Sequence, residues 1–320
     1  MDTGSHLLFG ATLAGLACVD AAVAGSGALF AAVLTGTLIG SHAPDFDTFA
    51  RLRGMEAYIR THRGITHSLP ALFLWALVIG LPVAFGYGVM NEFWHVYGWT
   101  LVAVVLHVFL DLCNAYGVQC LRPFTRKWLH LDVLSLHEPF FLVIHAGALG
   151  WWLWSGKAQA ALFITLYAIT FAYIALQYLH RQRLLRKVRR ALGLRGVYHL
   201  LPTLHWFHWQ FVLETDDAFH TGFIQYGRVN RVEVLAKGER NPVIEATLQL
   251  DGVRTFFYFA KRIHCVCTEA SDGYVVKWRD VRFWHNGRLP FGVDVKLDRN
   301  LNVVESQLGW NKKAWQGPYV

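Results

Sequence analysis

Residues 158–179 read AQAALFITLYAITFAYIALQYL, without a single charge, and residues 180–190, HRQRLLRKVRR, follow at once with six cations. As an α-helix the first stretch reaches about 33 Å at about 1.5 Å per residue, enough to cross a hydrocarbon core of about 30 Å. A basic cluster directly after it is suited to an anionic inner leaflet. Working back along the chain, Phe140–Trp154, Trp94–Leu110 and Leu69–Tyr87 are also free of charge. Ahead of these, Leu7–Val19 and Ala21–Ser41 are apolar and rich in Gly and Ala, broken by Asp20 and by Gly25–Gly27. They read as a tight pair of helices whose small residues permit close packing in lipid. The fold class expected is an α-helical multi-pass membrane bundle of about six helices, the first two short, followed by a small antiparallel β-rich cytoplasmic domain.

Charge divides the chain the same way. Of 52 Asp, Glu, Lys and Arg residues, 17 fall in residues 1–180 and 35 in residues 181–320, so the second part alone has the charge density of a soluble domain. The predicted organisation is a membrane domain over 1–180, a basic juxtamembrane linker helix over 181–197 and a β-rich domain over 198–320. The loops Ser41–Ser68 and Cys113–Pro139 and the tail are basic, whereas Asp20–Ser26, Gly88–Phe93 and Ser155–Gly156 hold no Lys or Arg. This asymmetry predicts a multi-pass membrane protein with its C-terminal domain in the cytoplasm. No Lys or Arg precedes the first apolar segment, so no cleaved signal peptide is expected. The five cysteines lack paired spacing and are expected to stay reduced. Membrane adjacency accounts for the basic cluster, and no nucleic-acid partner is expected; membrane lipids are the expected partners, and any protein partner of the C-terminal domain is unknown.

In the second part, Asp251–Gly252, Asp272–Gly273 and Asn286–Gly287 read as hairpin turns. Glu245–Leu250 alternates apolar and polar residues, the pattern of a half-buried strand. Tyr198–Trp209 sets His199, His205 and His208 among Tyr, Trp and Phe, which reads as an aromatic belt at the membrane surface rather than as a metal site.

Polar groups gather where the helices meet one boundary. His6 opens the first helix, Ser41-His42-Ala43-Pro44-Asp45-Phe46-Asp47 follows the second, and His62-Arg63-Gly64-Ile65-Thr66-His67-Ser68 precedes the third. His107 and Asp111 close the fourth one turn apart, and Glu138-Pro139 opens the fifth. Imidazoles mixed with carboxylates suit Zn²⁺, Mn²⁺ or Fe²⁺ better than Ca²⁺, and the number of candidates exceeds what one tetrahedral zinc needs. One or two ions, zinc or manganese, are therefore expected. His6, Asp45, Asp47, His67, His107, Asp111 and Glu138 are the candidate ligands, with Asp47 bridging two ions or acting as general base. His62 is the second candidate catalytic group, completing the shell or moving protons. Arg63 and Arg122 are candidates for holding an anionic substrate. His95, His130, His137, His145 and His180 are read as structural.

These motifs in this order, with Met1-Asp2-Thr3-Gly4-Ser5-His6 at the start and His107-Val108-Phe109-Leu110-Asp111 leading through Asn114-Ala115-Tyr116-Gly117 to Arg122-Pro123-Phe124, resemble the YdjM-type family (the DUF457 group) of membrane-bound proteins, in particular its Bacillus YfhP-like branch. The resemblance covers the membrane domain and continues into the tail. It implies a metal-dependent hydrolase and names no substrate. One departure is Glu138, where the family commonly has Asp before the proline.

The function expected is a membrane-bound metal-dependent hydrolase: a metal-activated water attacks an ester or phosphoester, lipid-linked given the site's place at the inner boundary. The alternative is a non-enzymatic regulatory or binding module in the membrane with a structural metal. A divalent-ion transporter is disfavoured because the ionisable residues gather at one end instead of lining a path.

Overall fold

The computed structural model describes residues 1–156, 160–238, 241–285 and 287–310, in two compact units. The first comprises Met1–Thr48 and Thr61–His180, and the second comprises Phe49–Arg60 and Arg181–Val320.

The first unit is helical. Its elements are α1 (Thr3–Leu16), α2 (Ala21–Gly25), α3 (Gly27–Gly40), α5 (Leu69–Gly86), α6 (Phe93–Leu112), α7 (Pro139–Ser155) and the first two thirds of α8 (Ala160–Leu192). The short α4 (Met55–Thr61) follows an unbroken 3₁₀ stretch, Ala43–Arg53. The break expected around Asp20 and Gly25–Gly27 is present, and its polar residues cap helices. Asp20 accepts the Ala22 N–H at 3.0 Å and Ser26 accepts the Leu29 N–H at 3.2 Å. Among the described residues three helical segments, Leu69–Gly86, Met90–Leu112 and Ala160–Leu192, are long and apolar enough to cross a membrane, or four when the bent pair Gly27–Gly40 and Ala43–Arg53 counts as one. The expected count of about six thus stands at three to four by length. Helix α1 has 14 residues and α7 has 17. The start of the stretch from Ala158 lies outside the described residues.

Apolar side chains on α5 and α8, among them Phe73, Leu77, Leu81, Ile164 and Phe171, are exposed in the isolated chain, as lipid-facing residues are. Inside, Phe9, Leu13, Leu110, Phe141 and Tyr167 form the main cluster. His145 is wholly buried and bridges helices: Nδ1 meets Thr12 Oγ1 at 2.9 Å and Nε2 meets Thr170 Oγ1 at 3.0 Å. This fits the structural reading of His145, because a polar group in an apolar bundle needs partners on its neighbours. Where α3 crosses α6, Gly36 admits Thr100: a Cβ at Gly36 would lie 2.3 Å from Thr100 Oγ1.

The second unit holds two four-stranded antiparallel meanders. The first is β1 (Val197–Pro202), β2 (His208–Glu214), β3 (Ala218–Gln225) and β4 (Arg228–Ala236), and the second is β5 (Ile263–Ala270), β6 (Gly273–Asp280), β7 (Phe291–Asp298) and β8 (Val303–Trp310). Asp272–Gly273 does turn a hairpin, between β5 and β6. Gly287 lies between the bridged His285 and Arg288, and Asn286 is outside the described residues. Two expectations fail. Glu245–Leu250 is not a strand but the end of α9 (Pro242–Thr247) with the turn after it, and Asp251–Gly252 starts helix α10 (Asp251–Phe259). Asn241 caps α9 by accepting the Ile244 N–H at 2.8 Å, and Pro242 stands in the first turn, a start signal that outweighs six residues of alternation.

The excursion Phe49–Arg60 folds with this second unit. Arg60 Nε–H donates to Thr255 Oγ1 on α10 at 2.8 Å, and Glu56 and Met55 border Gly252 and Gly309. Deleting residues 195–320 would strip these partners from a segment that lies between Asp47 and His62.

The Gly36–Thr100 contact gives the first prediction. Gly36→Val should overpack the α3–α6 crossing and cost about 1–3 kcal/mol, read as a lower melting temperature in detergent, whereas Gly86→Ala, with open space around its Cβ, should leave the melt unchanged.

Candidate metal centre

Three elements of the first unit deliver four side chains to one point. The 3₁₀ stretch after α3 brings Asp45, the 3₁₀ turn Ile65–His67 before α5 brings His67, and the last turns of α6 bring His107 and Asp111. From His67 Nε2 to Asp45 Oδ1 is 3.5 Å and to Asp111 Oδ2 is 3.5 Å; from His107 Nε2 the same two oxygens are each 3.7 Å away. Ligand atoms around a tetrahedral zinc, at bonds of about 2.0–2.1 Å, stand about 3.3–3.4 Å apart. None of these four atoms has a hydrogen-bond partner, although each is buried. Two carboxylate oxygens and two imidazole nitrogens buried together without a hydrogen bond among them are costly in an apolar bundle. A shared cation removes that cost, so the residues fit a divalent metal.

The remaining atoms of these side chains are tied down. His107 Nδ1–H donates to the Ser41 carbonyl at 2.7 Å, which points Nε2 at the site. Asp111 Oδ1 accepts from Arg63 Nη2 at 3.0 Å and Asn114 Nδ2 at 3.3 Å, and the Met1 amine also donates to it. Arg63 is buried, has φ +58°, and spends its other arm on Asn114 Oδ1 at 3.0 Å. It therefore positions Asp111, with both terminal nitrogens engaged and the side chain buried, rather than standing open to the substrate anion expected from the sequence.

A second group, Asp45, Asp47 and His62, shares Asp45 with the first. His62 Nδ1–H donates to Asp47 Oδ1 at 2.7 Å and stands 4.0 Å from Asp45 Oδ1. Asp47 Oδ2 accepts the Arg63 N–H at 3.0 Å and the Thr66 hydroxyl at 2.5 Å. Asp45 is thus the carboxylate common to both groups, and Asp47 orients His62. Burial holds the His62 imidazole below its ordinary pKa, against the pull of Asp47. All three residues are partly exposed, whereas His67, His107 and Asp111 are buried, so the site opens on the His62 side.

His6 stacks on His107 with ring centroids 3.8 Å apart, and its Nε2 lies 3.6 Å from Asp111 Oδ1. Neither of its buried ring nitrogens has a partner, the same feature that marks the four, so His6 stays a candidate ligand at the edge of the group. His42 stands behind it, 6.3 Å between ring centroids. Glu138 lies in a separate buried network, accepting from Tyr173 Oη at 2.8 Å and Ser135 Oγ at 3.2 Å. The carboxylate before the proline thus joins helices instead of the ligand set. Arg122 approaches Gly64, its Nη1 3.8 Å from a Cβ placed there. Sequence reading missed Asn114, Thr66 and the Ser41 carbonyl; only the Asp111–Asn114 spacing, one helical turn, pointed to any of them.

Residues 1–184 match the family model described as YdjM inner membrane protein. This chain belongs to that family. The match covers more than half of the 320 residues and contains every candidate ligand. Residues 242–316 match a second model, the YfhP C-terminal alpha/beta plait domain, which takes in α9, α10 and the second meander. A Bacillus subtilis (strain 168) protein described as Uncharacterized protein YfhP is 34% identical over 318 residues, covering 97% of this chain and 95% of its own. No solved structure matches. As a YdjM-family member the chain is a membrane protein with a cluster that can hold a metal ion.

Removing the Arg63 side chain leaves part of the Asp111 charge uncompensated. Arg63→Ala should lower stability by about 3 kcal/mol in chelator, and a divalent ion should restore part of the loss by taking over the carboxylate. Identical melts with and without metal would contradict this.

Proposed function

We propose that this YdjM-family protein is a membrane-bound, metal-dependent hydrolase acting on an ester or phosphoester with an apolar tail, on the cytoplasmic side of a bacterial membrane. The observation that carries the reading is the convergence of Asp45, His67, His107 and Asp111 as four partnerless ligand atoms within 4.8 Å of one another. A divalent ion held there, zinc or manganese, supplies Lewis-acid polarisation and an acidified water.

The chain's own groups fill the other roles. His62, kept neutral by burial and oriented by Asp47, accepts a proton on the open side and passes it to solvent. Asp45, common to both groups, would be a ligand shared between them if two ions were held. Arg122, partly exposed beside Gly64, is a second cation on this loop that would meet an anionic substrate. Apolar side chains flank the ligands in sequence: Phe46 is 44% exposed and Ile65 70% exposed. Such a rim suits a lipid-linked substrate better than a small polar one.

One observation favours the second reading, a structural metal in a non-enzymatic module. Four protein ligands close a tetrahedral zinc, whereas catalytic zinc sites keep a position open. Octahedral manganese or iron would keep two positions open with the same four ligands. Metal content and turnover therefore need to be measured together. Wild-type protein in detergent should retain one or two equivalents of transition metal, Asp45→Asn and His67→Ala should retain less than about a tenth of it, and wild type alone should hydrolyse lipid phosphoesters in a chelator-sensitive way. Full metal retention without turnover across an ester and phosphoester panel would leave the structural metal. Absence of metal after reconstitution would overturn both readings.

A further inference from the structure

The end of α8 has two unlike faces. Leu184 and Val188 are buried against Tyr198, Leu200, Trp209, Phe211 and Ile224 of the first meander. At about 100° per residue, Arg183, Arg186 and Arg190 fall away from that face, and Lys187 lies at its edge. All four are exposed, and together they line a depression of about 330 Å³. Nothing nearby in sequence neutralises them, since no Asp or Glu occurs between Glu138 and Glu214. Four like charges within two helical turns repel one another and weaken the helix unless an anion lies among them.

A second observation points to the same ligand. Lys187 reaches the β3–β4 turn, its Nζ 3.4 Å from a Cβ built on Gly227. In that turn Tyr226, 74% exposed, stacks on Phe207, 62% exposed, with ring centroids 6.0 Å apart, and the Tyr226 N–H donates to the Phe207 carbonyl at 3.1 Å. Trp206 beside them is 46% exposed. A soluble phosphate site has no use for a cluster of exposed rings. Cations bordered by rings with one apolar and one polar end are what the headgroup boundary of a bilayer selects.

We propose that this face of the C-terminal unit, Arg183, Arg186, Lys187 and Arg190 with Phe207 and Tyr226, is a binding surface for anionic membrane lipid. The cations hold headgroup phosphates, and the rings enter the boundary between headgroups and acyl chains. The proposal rests on the membrane reading and is independent of hydrolysis.

Hydrogen–deuterium exchange of the full chain in nanodiscs tests it. With phosphatidylglycerol, peptides covering 203–208 and 224–228 should exchange about tenfold more slowly than with phosphatidylcholine. The protection should vanish in 0.5 M salt and in the quadruple variant Arg183→Gln, Arg186→Gln, Lys187→Gln, Arg190→Gln. The pair Phe207→Ser, Tyr226→Ser keeps every charge and should lose most of the protection, which guards against misfolding of the quadruple variant. Equal exchange in the two lipids, or protection surviving both sets of substitutions, would overturn the proposal. So would equal protection of the detergent-solubilised chain by millimolar inorganic phosphate, which would make the stripe a soluble-anion site. Metal content, measured on the same samples, stays at the wild-type level, so failure here is separable from failure of the hydrolase reading.

Discussion

The carboxylate of Asp111 is wholly buried at the end of α6, and the helical unit is arranged around that charge. An ionised carboxylate in an apolar bundle is tolerated only when its oxygens are individually answered. Oδ1 is answered by Arg63, Asn114 and the Met1 amine, and Oδ2 faces His67 and His107 without a hydrogen-bond donor. The asymmetry is informative. A purely structural anchor would share its donors between both oxygens; here they fall on one, and the other is left where a cation could be held.

Arg63 transmits the constraint to the loop. To reach Asp111 its backbone adopts φ +58°, costly for a residue other than glycine, and the turn is fixed from both sides. Its carbonyl accepts the Gln119 N–H at 3.0 Å and its own N–H donates to Asp47. Asp47 in turn holds His62 and Thr66, and Thr66 Oγ1 lies 3.0 Å from His67 Nδ1. The ligand set is therefore a network of hydrogen-bonded supports behind a few metal-facing atoms, the organisation that lets a site bind an ion in fixed geometry.

Much of this was legible from residue types at helix ends. His107 and Asp111, one turn apart on an uncharged helix, had to share a face, and Asp45 and His67 flank apolar runs that bring them to the same boundary. Roles were less legible than locations. Arg63, Arg122 and Glu138 look alike as charged residues near one face, and only packing shows that the Arg63 guanidinium is turned to Asp111 and the Glu138 carboxylate to Tyr173. Glu138 could not be placed from sequence because Tyr173, its hydrogen-bond donor, lies 35 residues away on α8. In the second unit, turn dipeptides located the β5–β6 hairpin, while six alternating residues at Glu245–Leu250 concealed a capped helix, since so short a run satisfies either period.

The two halves of the outer ligand group raise a question of entropy. Asp47 and His62 are 15 residues apart yet meet at 2.7 Å. Closing a flexible loop of that length costs about 2.4 kcal/mol plus a constant, and ordering each of its residues costs more. A free loop would therefore favour separation of Asp47 from His62. The intervening Phe49–Arg60 is instead ordered by its own contacts, Arg60 to Thr255 and Met55 beside Gly309 among them. The ordering cost is thereby met by the C-terminal fold rather than by the Asp47–His62 hydrogen bond. A 3₁₀ path through Ala43–Arg53 supports the same end, because it fixes Asp45 and Asp47 on a rigid segment two residues apart, with Asp45 turned to the buried ligands and Asp47 to His62. The segment joining Asp47 to His62 is thus ordered through contacts with the β-rich part of the chain, so its ends are held by a fold that supplies none of the candidate ligands.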